Sequence, residues 1–395
     1  MKKHFSTLLL VLSVSHILSQ GTWTQKADFA GTKRFGAIGF SIGNKGYIGT
    51  GVGAGFSAWY KDLWEWDQAT DTWTQKANLP DTSRAYAVGF AIADKGYVCT
   101  GYNWNIGYFY KELWEYDPAL NTWKQKANFP GAARHGAVVF TIGNLAYVGT
   151  GSVLPSFYDD LWEYNALVDT WTQKASFLFS ERSFATAFSI GNKGYLGTGS
   201  GYTSGYNDLW EFDPATNAWT QMANLPSTKR DDAIGFSIGN YGYIGMGDSI
   251  DFQTHKYVPL SDFWQYNPNT NSWAQMANYG GVAVARPTGF VIGCRGYVGT
   301  GWSDPANFTG ALNDFWEFTP PVPSAVVAGV NTFCAGDSSS LFASGGLFYQ
   351  WSTGETSQVI DVKPTTTTTY SVIVSDACGA DTANITVTVI PYPVI

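Results

Sequence analysis

From residue 21 onward the chain is a succession of short runs in which apolar and polar side chains alternate, separated by clusters of Gly, Asn and Asp. A period of two over five or six residues marks half-buried β-strands, and the clusters are turn chemistry. In the first stretch this predicts strands over 37–42, 47–51, 62–67 and 72–77, with Gly43-Asn44-Lys45-Gly46 turning between the first two. Gly43 and Gly46 supply the positive φ that a tight hairpin requires. Trp64 and Trp66 stand two apart on the third strand, as do Trp114 and Tyr116. Each pair therefore shares a strand face, where large rings fill the space between neighbouring sheets.

The pattern then repeats. "DLWEWDQATDTWTQKANLP" from Asp62 returns as "ELWEYDPALNTWKQKANFP" from Glu112, "DLWEYNALVDTWTQKA" from Asp160 and "DLWEFDPATNAWTQMANLP" from Asp208. "DFWQYNPNTNSWAQMA" from Asp262 is a fifth copy, and a sixth stops at "DFWEFTP" from Asp314. The glycine end of the second strand recurs at Gly51, Gly101, Gly151, Gly199, Gly247 and Gly301, giving six units. A fourth-strand phrase, Trp23-Thr24-Gln25-Lys26-Ala27, precedes the first unit, and the last unit lacks one. The first strand of the mature chain is therefore expected to complete the sixth unit, leaving no open edge.

Four-stranded units with paired glycines, then "DLWEYDP" and a Trp, resemble the kelch family over residues 21–320. The resemblance implies an all-β fold, a six-bladed kelch-type β-propeller closed by an N-terminal strand, followed by a small β-sandwich. Length variation is confined to one loop. The Trp-to-Phe interval (Trp23 to Phe40, Trp171 to Phe188, Trp273 to Phe290) is always 17 residues, whereas the segment joining strands two and three runs 10, 10, 8, 8, 14 and 12. Residues common to all units serve the scaffold, and the variable loop is where units are free to differ. In kelch propellers these loops share a face with the connections between blades.

These loops carry the candidate binding residues: Trp59 and Tyr60; Tyr102, Trp104, Tyr108 and Phe109; Phe157 and Tyr158; Tyr202 and Tyr206; Tyr257, with His255 beside it; and Trp302, with Phe308. Flat amphipathic rings among Asn, Gly and Ser suit sugars or protein surfaces; the plainer alternative is that they cover one another. A second candidate is an arginine column, Arg34, Arg84, Arg134, Arg182 and Arg230, each six residues before its Phe. The sixth unit breaks register, with Val284 in the column and Arg286 two positions later. By the kelch resemblance these side chains lie near the mouth of the central channel, where guanidinium groups could grip carboxylates. Local bonding to loop carbonyls is the competing expectation.

Composition narrows the function classes. Seventeen Trp, 23 Tyr and 25 Phe with 44 Gly suit short strands and tight turns, and 14% charged residues speaks against disorder. A net charge of −8 argues against a nucleic-acid partner. Lys2 and Lys3 ahead of an apolar stretch from Leu8, then Ser19 and Gln20, read as a secretory signal over 1–20. No later stretch is apolar for long enough to cross a bilayer. In the mature chain only His135 and His255 remain, at inequivalent repeat positions, so no catalytic residues, metal or cofactor are expected. Recurrent carboxylates such as Asp62, Asp160, Glu65 and Glu163 are expected to bond neighbouring backbone. Some kelch-like propellers are enzymes: copper ligands of the galactose oxidase kind are lacking, whereas a sialic acid epimerase resemblance would use channel arginines.

After a linker over 321–329, composition shifts toward Thr, Ser and Val, and residues 330–390 ("YQWSTGETSQVIDVKPTTTTTYSVIVSDACG") resemble the immunoglobulin-like modules on surface proteins of gliding bacteria. A disulfide between Cys334 and Cys378 is expected within it, with Cys99 and Cys294 free and buried. Residues 391–395 echo the preceding linker, as if a further sorting domain followed. The expected function is that of a secreted or cell-surface binding or adhesion protein, a monomeric propeller recognising a protein or glycan; a structural surface-layer role is the other non-enzymatic possibility.

Overall fold

The computed structural model describes residues 20–177, 179–251, 256–304 and 309–391, and the side chains of 250 and 251 are not described. The signal reading of residues 1–19, the loop residues His255 and Phe308, and residues 392–395 lie outside them.

Six four-stranded antiparallel sheets account for residues 22–319. The first comprises Ile38–Ile42, Lys45–Gly49, Leu63–Asp67 and Thr72–Lys76, close to the expected bounds. The next four repeat this order, and the sixth takes Thr288–Ile292, Arg295–Gly299 and Phe315–Thr319 with Thr22–Gln25 as its outer strand. In the latter pairing Trp23 lies opposite Phe318 and Gln25 opposite Trp316. Gly43 has the expected positive φ, 57°, whereas Gly46 does not and lies within the second strand, where it is needed for the close approach of a ring.

The repeated phrases are explained by bonds within and between sheets. In "DLW" the Asp and Trp are two apart and share a face, so Asp62 accepts from Trp64 Nε1 at 2.8 Å and Asp160 from Trp162 at 2.9 Å. The following Glu faces the strand-two Tyr across the ladder: Glu65 accepts from Tyr47 at 2.6 Å and Glu163 from Tyr147 at 2.7 Å. The partners of these carboxylates are thus side chains, not the expected backbone. Each strand-four Trp donates to the carbonyl of the Ala that ends the preceding unit, as in Trp73 to Ala27 at 3.1 Å and Trp123 to Ala77 at 2.8 Å. The sixth such bond runs from Trp23 to Ala277 at 3.0 Å. Between sheets the strand-one Phe lies over a strand-two Gly: a Cβ at Gly96 would stand 2.3 Å from Phe40, and one at Gly46 only 1.9 Å from Phe290 of the sixth sheet. Only glycine or a small residue such as Ala146 fits that contact.

A second hydrogen-bond cycle surrounds the axis. Tyr86 N donates to Gly36 O, Gly136 to Tyr86, Phe184 to Gly136, Asp232 to Phe184, Arg286 to Asp232 and Gly36 to Arg286, at 2.9–3.4 Å. All six residues have positive φ, 54–62°. Gly adopts this at no steric cost; Tyr86, Phe184, Asp232 and Arg286 are held there by the surrounding bonds.

Three two-stranded ribbons, Tyr102–Asn103 with Tyr108–Phe109, Ser152–Val153 with Ser156–Phe157 and Asp248–Asp251 with Lys256–Pro259, lie in the loops between strands two and three. The strands after residue 319 form a three-stranded and a four-stranded sheet over 326–390, sharing a core of Leu341, Trp351, Ile360, Val372, Val374 and Val387. The disulfide differs from expectation. Cys378 is bonded to Cys294, in the first hairpin turn of the sixth sheet, and Cys334 is exposed and free. Cys334 pairs alongside Ile390, at the far end of an 11-residue strand that begins just after Cys378. At about 3.3 Å per residue that strand keeps the two cysteines roughly 30 Å apart, whereas the Cys378 loop docks on the turn holding Cys294. Cys99 is buried and free, as expected.

Candidate functional site

The loops joining strands two and three gather at one end of the sheets, beside the axial cycle, and their aromatics divide into two sets. The first is a plug. Phe35, Tyr86, Tyr102 and Trp302 are buried in one cluster, with Phe56, Trp59, Phe109, Phe184 and Tyr257 half-buried against it. Trp59 meets Tyr102 edge-on at 5.3 Å, Phe109 stacks on Tyr102 at 5.2 Å, and Tyr257 meets Trp302 edge-on at 6.2 Å. Tyr102 and Trp302 were candidate contacts by sequence, but burial removes them from the surface: they are the floor of the face.

The second set stands in solvent. A short 3₁₀ turn, Trp104–Ile106, capped by Asn103 Oδ1 on Asn105 N at 3.0 Å, lifts Trp104 to 70% exposure. Tyr108 and Tyr202 are exposed as well, and half-buried Phe157 packs edge-on to Tyr202 at 4.9 Å, linking the third and fourth sheets. Ile106 and Leu154 add exposed apolar surface to the same loops.

The arginine column does not form a cationic ring. Arg34, Arg84, Arg134, Arg182 and Arg230 are buried, and each donates to the carbonyl that ends strand two, such as Thr50 O at 2.8 Å and Thr150 O at 2.8 Å. Four also fork onto the "DLW" or "DFW" aspartate: Arg34 on Asp62, Arg134 on Asp160, Arg182 on Asp208 and Arg230 on Asp262. Where the second unit has Glu112, Arg84 takes Asp81 instead. Tyr60, Tyr110, Tyr158 and Tyr206 lie over the first four guanidinium groups at 3.8–4.1 Å. Tyr60, Tyr158 and Tyr206, candidate contacts by sequence, therefore close arginine sites. At Asp262 burial works against the carboxylate charge, and the bonds and charge of Arg230 outweigh it, holding the pKa down at about 2. The sixth sheet has Val284 in place of the arginine, and burial pushes Asp314 up.

Only Arg286 reaches the axis. Its Nε donates to Asp232 at 2.7 Å and its Nη1 to the Tyr86 hydroxyl at 2.7 Å, with Phe35, Phe184 and Trp302 around the guanidinium. A cavity of about 150 Å³ lies below, between Arg286, Asp232 and the ring Ala37, Ala87, Ala137, Ala185 and Ala233. A larger one of about 270 Å³ lies further down, lined by Ser41, Thr141, Ser189 and Ser237. Beside Arg286 lie Asp231, Asp232 and Asp248, all buried, with one oxygen of each within 4.8 Å of the others. Sequence reasoning missed this trio. The signal was "RDD" at Arg230, where equivalent pairs read Phe-Gly, Ala-Tyr, His-Gly, Ser-Phe and Ala-Arg.

His135 sits in the plug among Tyr102, Phe184 and Phe109, 4.9–5.5 Å between rings. Burial, with the Arg286 charge adding to it, pushes its pKa down to about 4. The unfolded chain takes up this proton near pH 6.5, the folded chain only near 4, so stability falls as pH drops across that window. The expected loss is about 3 kcal/mol. Between pH 7.5 and 4 the melting temperature of the wild type should fall relative to that of His135→Leu; parallel curves would contradict the assignment.

The comparisons with known proteins concern the repeat region. Residues 126–297 match the KLHDC2/KLHL20/DRC7 Kelch-repeats domain. No curated protein matches the chain. Among solved structures, that of YjhT superposes with a TM-score of 0.61 at 17% identity, covering 74% of this chain and 96% of that one. At that identity the likeness is one of fold. Residues 126–297 thus carry kelch repeats, and the chain shares the fold of YjhT, a kelch-type propeller. No helix among the described residues is long and apolar enough to cross a membrane.

Proposed function

We propose that this kelch-type propeller is an exported or cell-surface binding protein, without enzymatic activity, that recognises a protein or glycan through its exposed loop aromatics. In this reading the six sheets are the blades of a propeller closed by the strand at Trp23, and residues 330–390 are an immunoglobulin-like module that serves as spacer. The observation that carries it is the projection of Trp104, Tyr108 and Tyr202 from loops whose other rings are packed away. Exposed large apolar side chains gathered on one face of a rigid scaffold are the usual mark of an interaction surface, and Trp and Tyr give contact area at low entropic cost. The disulfide at Cys294 supports the arrangement: it ties the C-terminal sheets to a hairpin turn at the opposite end of the blades, leaving the loop face clear.

The epimerase-like alternative needs arginines free to hold an acidic sugar. The column arginines are engaged by aspartates and carbonyls, and Arg286 by Asp232 and Tyr86. That favours the binding reading. The mature protein and a Trp104→Ala/Tyr108→Ala/Tyr202→Ala variant should be compared on a glycan array and a cell-surface protein screen. Signal lost in the variant at unchanged melting temperature supports the proposal; signal retained by the variant contradicts it.

A further inference from the structure

We propose that Asp231, Asp232 and Asp248 form a buried site for one divalent, oxygen-preferring cation of the calcium class, beside the axis on the fifth sheet. Asp231 and Asp248 are held opposite one another by a reciprocal pair of backbone hydrogen bonds, each N–H to the other's carbonyl at 3.1 Å. Two residues so paired send their side chains to the same face. Asp232 is adjacent in sequence, and one oxygen of each carboxylate falls within 4.8 Å of the others. Two oxygens bound to one Ca²⁺ stand at most about twice its 2.3–2.6 Å ligand distance apart, so this spacing admits a shared ion.

The independent sign of a missing partner is Asp248. It is completely buried, and no donor outside the trio reaches either carboxylate oxygen; Asp231 Oδ1 is also without a donor. Asp231 Oδ2 takes the Ser200 hydroxyl at 2.5 Å, and Asp232 Oδ2 takes Arg286 at 2.7 Å. Arg286 neutralises one of three carboxylates, which leaves an excess of two negative charges in a buried place. Uncompensated, that burial is costly enough that something else must supply the charge. A divalent cation does so, with waters completing its shell. The competing occupant is a pair of protons, and the direction of the Asp248 shift, upward through burial and the nearby Asp231, describes what the trio does when no cation is present.

The two occupants are separable. The mature protein, stripped with EGTA at pH 7.5, is titrated with Ca²⁺ and separately with Mg²⁺ in thermal melts and calorimetry. The site predicts a saturable 1:1 calorimetric signal for Ca²⁺ and a rise in Tm of roughly 5 °C at an excess of a hundredfold over Kd. Asp248→Asn should abolish both, while Asp94→Asn, at an exposed carboxylate, should abolish neither. Asn also mimics a protonated carboxyl, so Asp248→Asn should fold. If the stripped wild type responds to neither cation, and Asp248→Asn melts at or above it, the trio holds protons and the proposal is overturned.

Discussion

Removing residues 21–28 should lower the melting temperature of the entire repeat region, in one transition, by at least about 6 °C. The segment is short, but its contacts are not peripheral. Thr22–Gln25 supplies the outer strand of the sixth sheet, and Trp23 packs against Phe263, Tyr279 and Phe318 with ring centroids 5.0–5.2 Å apart. Trp23 is half-buried, and loss of its packing costs about 3 kcal/mol, the lower end of the range for a fully buried Trp. Deletion further strips the partner of Phe315 O, which accepts from Lys26 N at 2.8 Å, and removes the Trp23 to Ala277 bond between the fifth and sixth sheets. In an open array the loss would be confined to one end; in a cycle every sheet has two neighbours and the whole is weakened. An unchanged melting temperature would contradict this.

The second large effect is expected at the arginine column. Arg134→Met should destabilise by about 3 kcal/mol, because it leaves half-buried Asp160 without its cation. The Thr150 carbonyl and the Tyr158 ring lose their partner as well. The sixth sheet displays the same condition naturally: with Val284 in the column, the carboxyl of Asp314 is pushed up by burial, whereas Arg230 holds Asp262 down. Asp160 in the variant should follow Asp314. A carboxyl with a raised folded pKa is more favourable protonated, so the deficit of Arg134→Met should shrink between pH 7.5 and 4. Adding Asp160→Asn should recover part of the loss at neutral pH. Urea melts of the two single variants and the double variant check this; strict additivity would contradict a direct pair.

The repeat unit was legible in the sequence because each of its features recurs for a local reason. The turn at Gly43, the two-residue spacing of Asp62 and Trp64, and the strand-four Trp are all satisfied within one sheet or its neighbour. The pairing of Arg34 with Asp62 was also open to reading. Both columns recur together, and the second unit, with Glu112 for Asp, is the one whose arginine turns to Asp81. What alternation could not give was the fate of the loop aromatics. Trp104 and Tyr102 are two residues apart in one loop, yet one is exposed and the other buried, since the 3₁₀ turn that starts at Trp104 is set by Asn103 and Gly107 rather than by hydrophobicity. The cysteine pairing failed for a different reason: it depends on where the C-terminal sheets dock, and proximity in sequence favoured Cys334 over Cys294. The Asp231–Asp232–Asp248 cluster needed the register between two loops, which only the bridge at Asp231 and Asp248 provides.

The loop face divides into a sealed aromatic plug and a small exposed patch, and hydroxyl-radical footprinting of the protein tests this division most directly. Mass spectrometry should find Trp104, Tyr108 and Tyr202 oxidised rapidly, and Tyr86, Tyr102 and Trp302 far more slowly. Labelling of Trp302 as fast as that of Trp104 would mean that the plug is open, and would contradict the account.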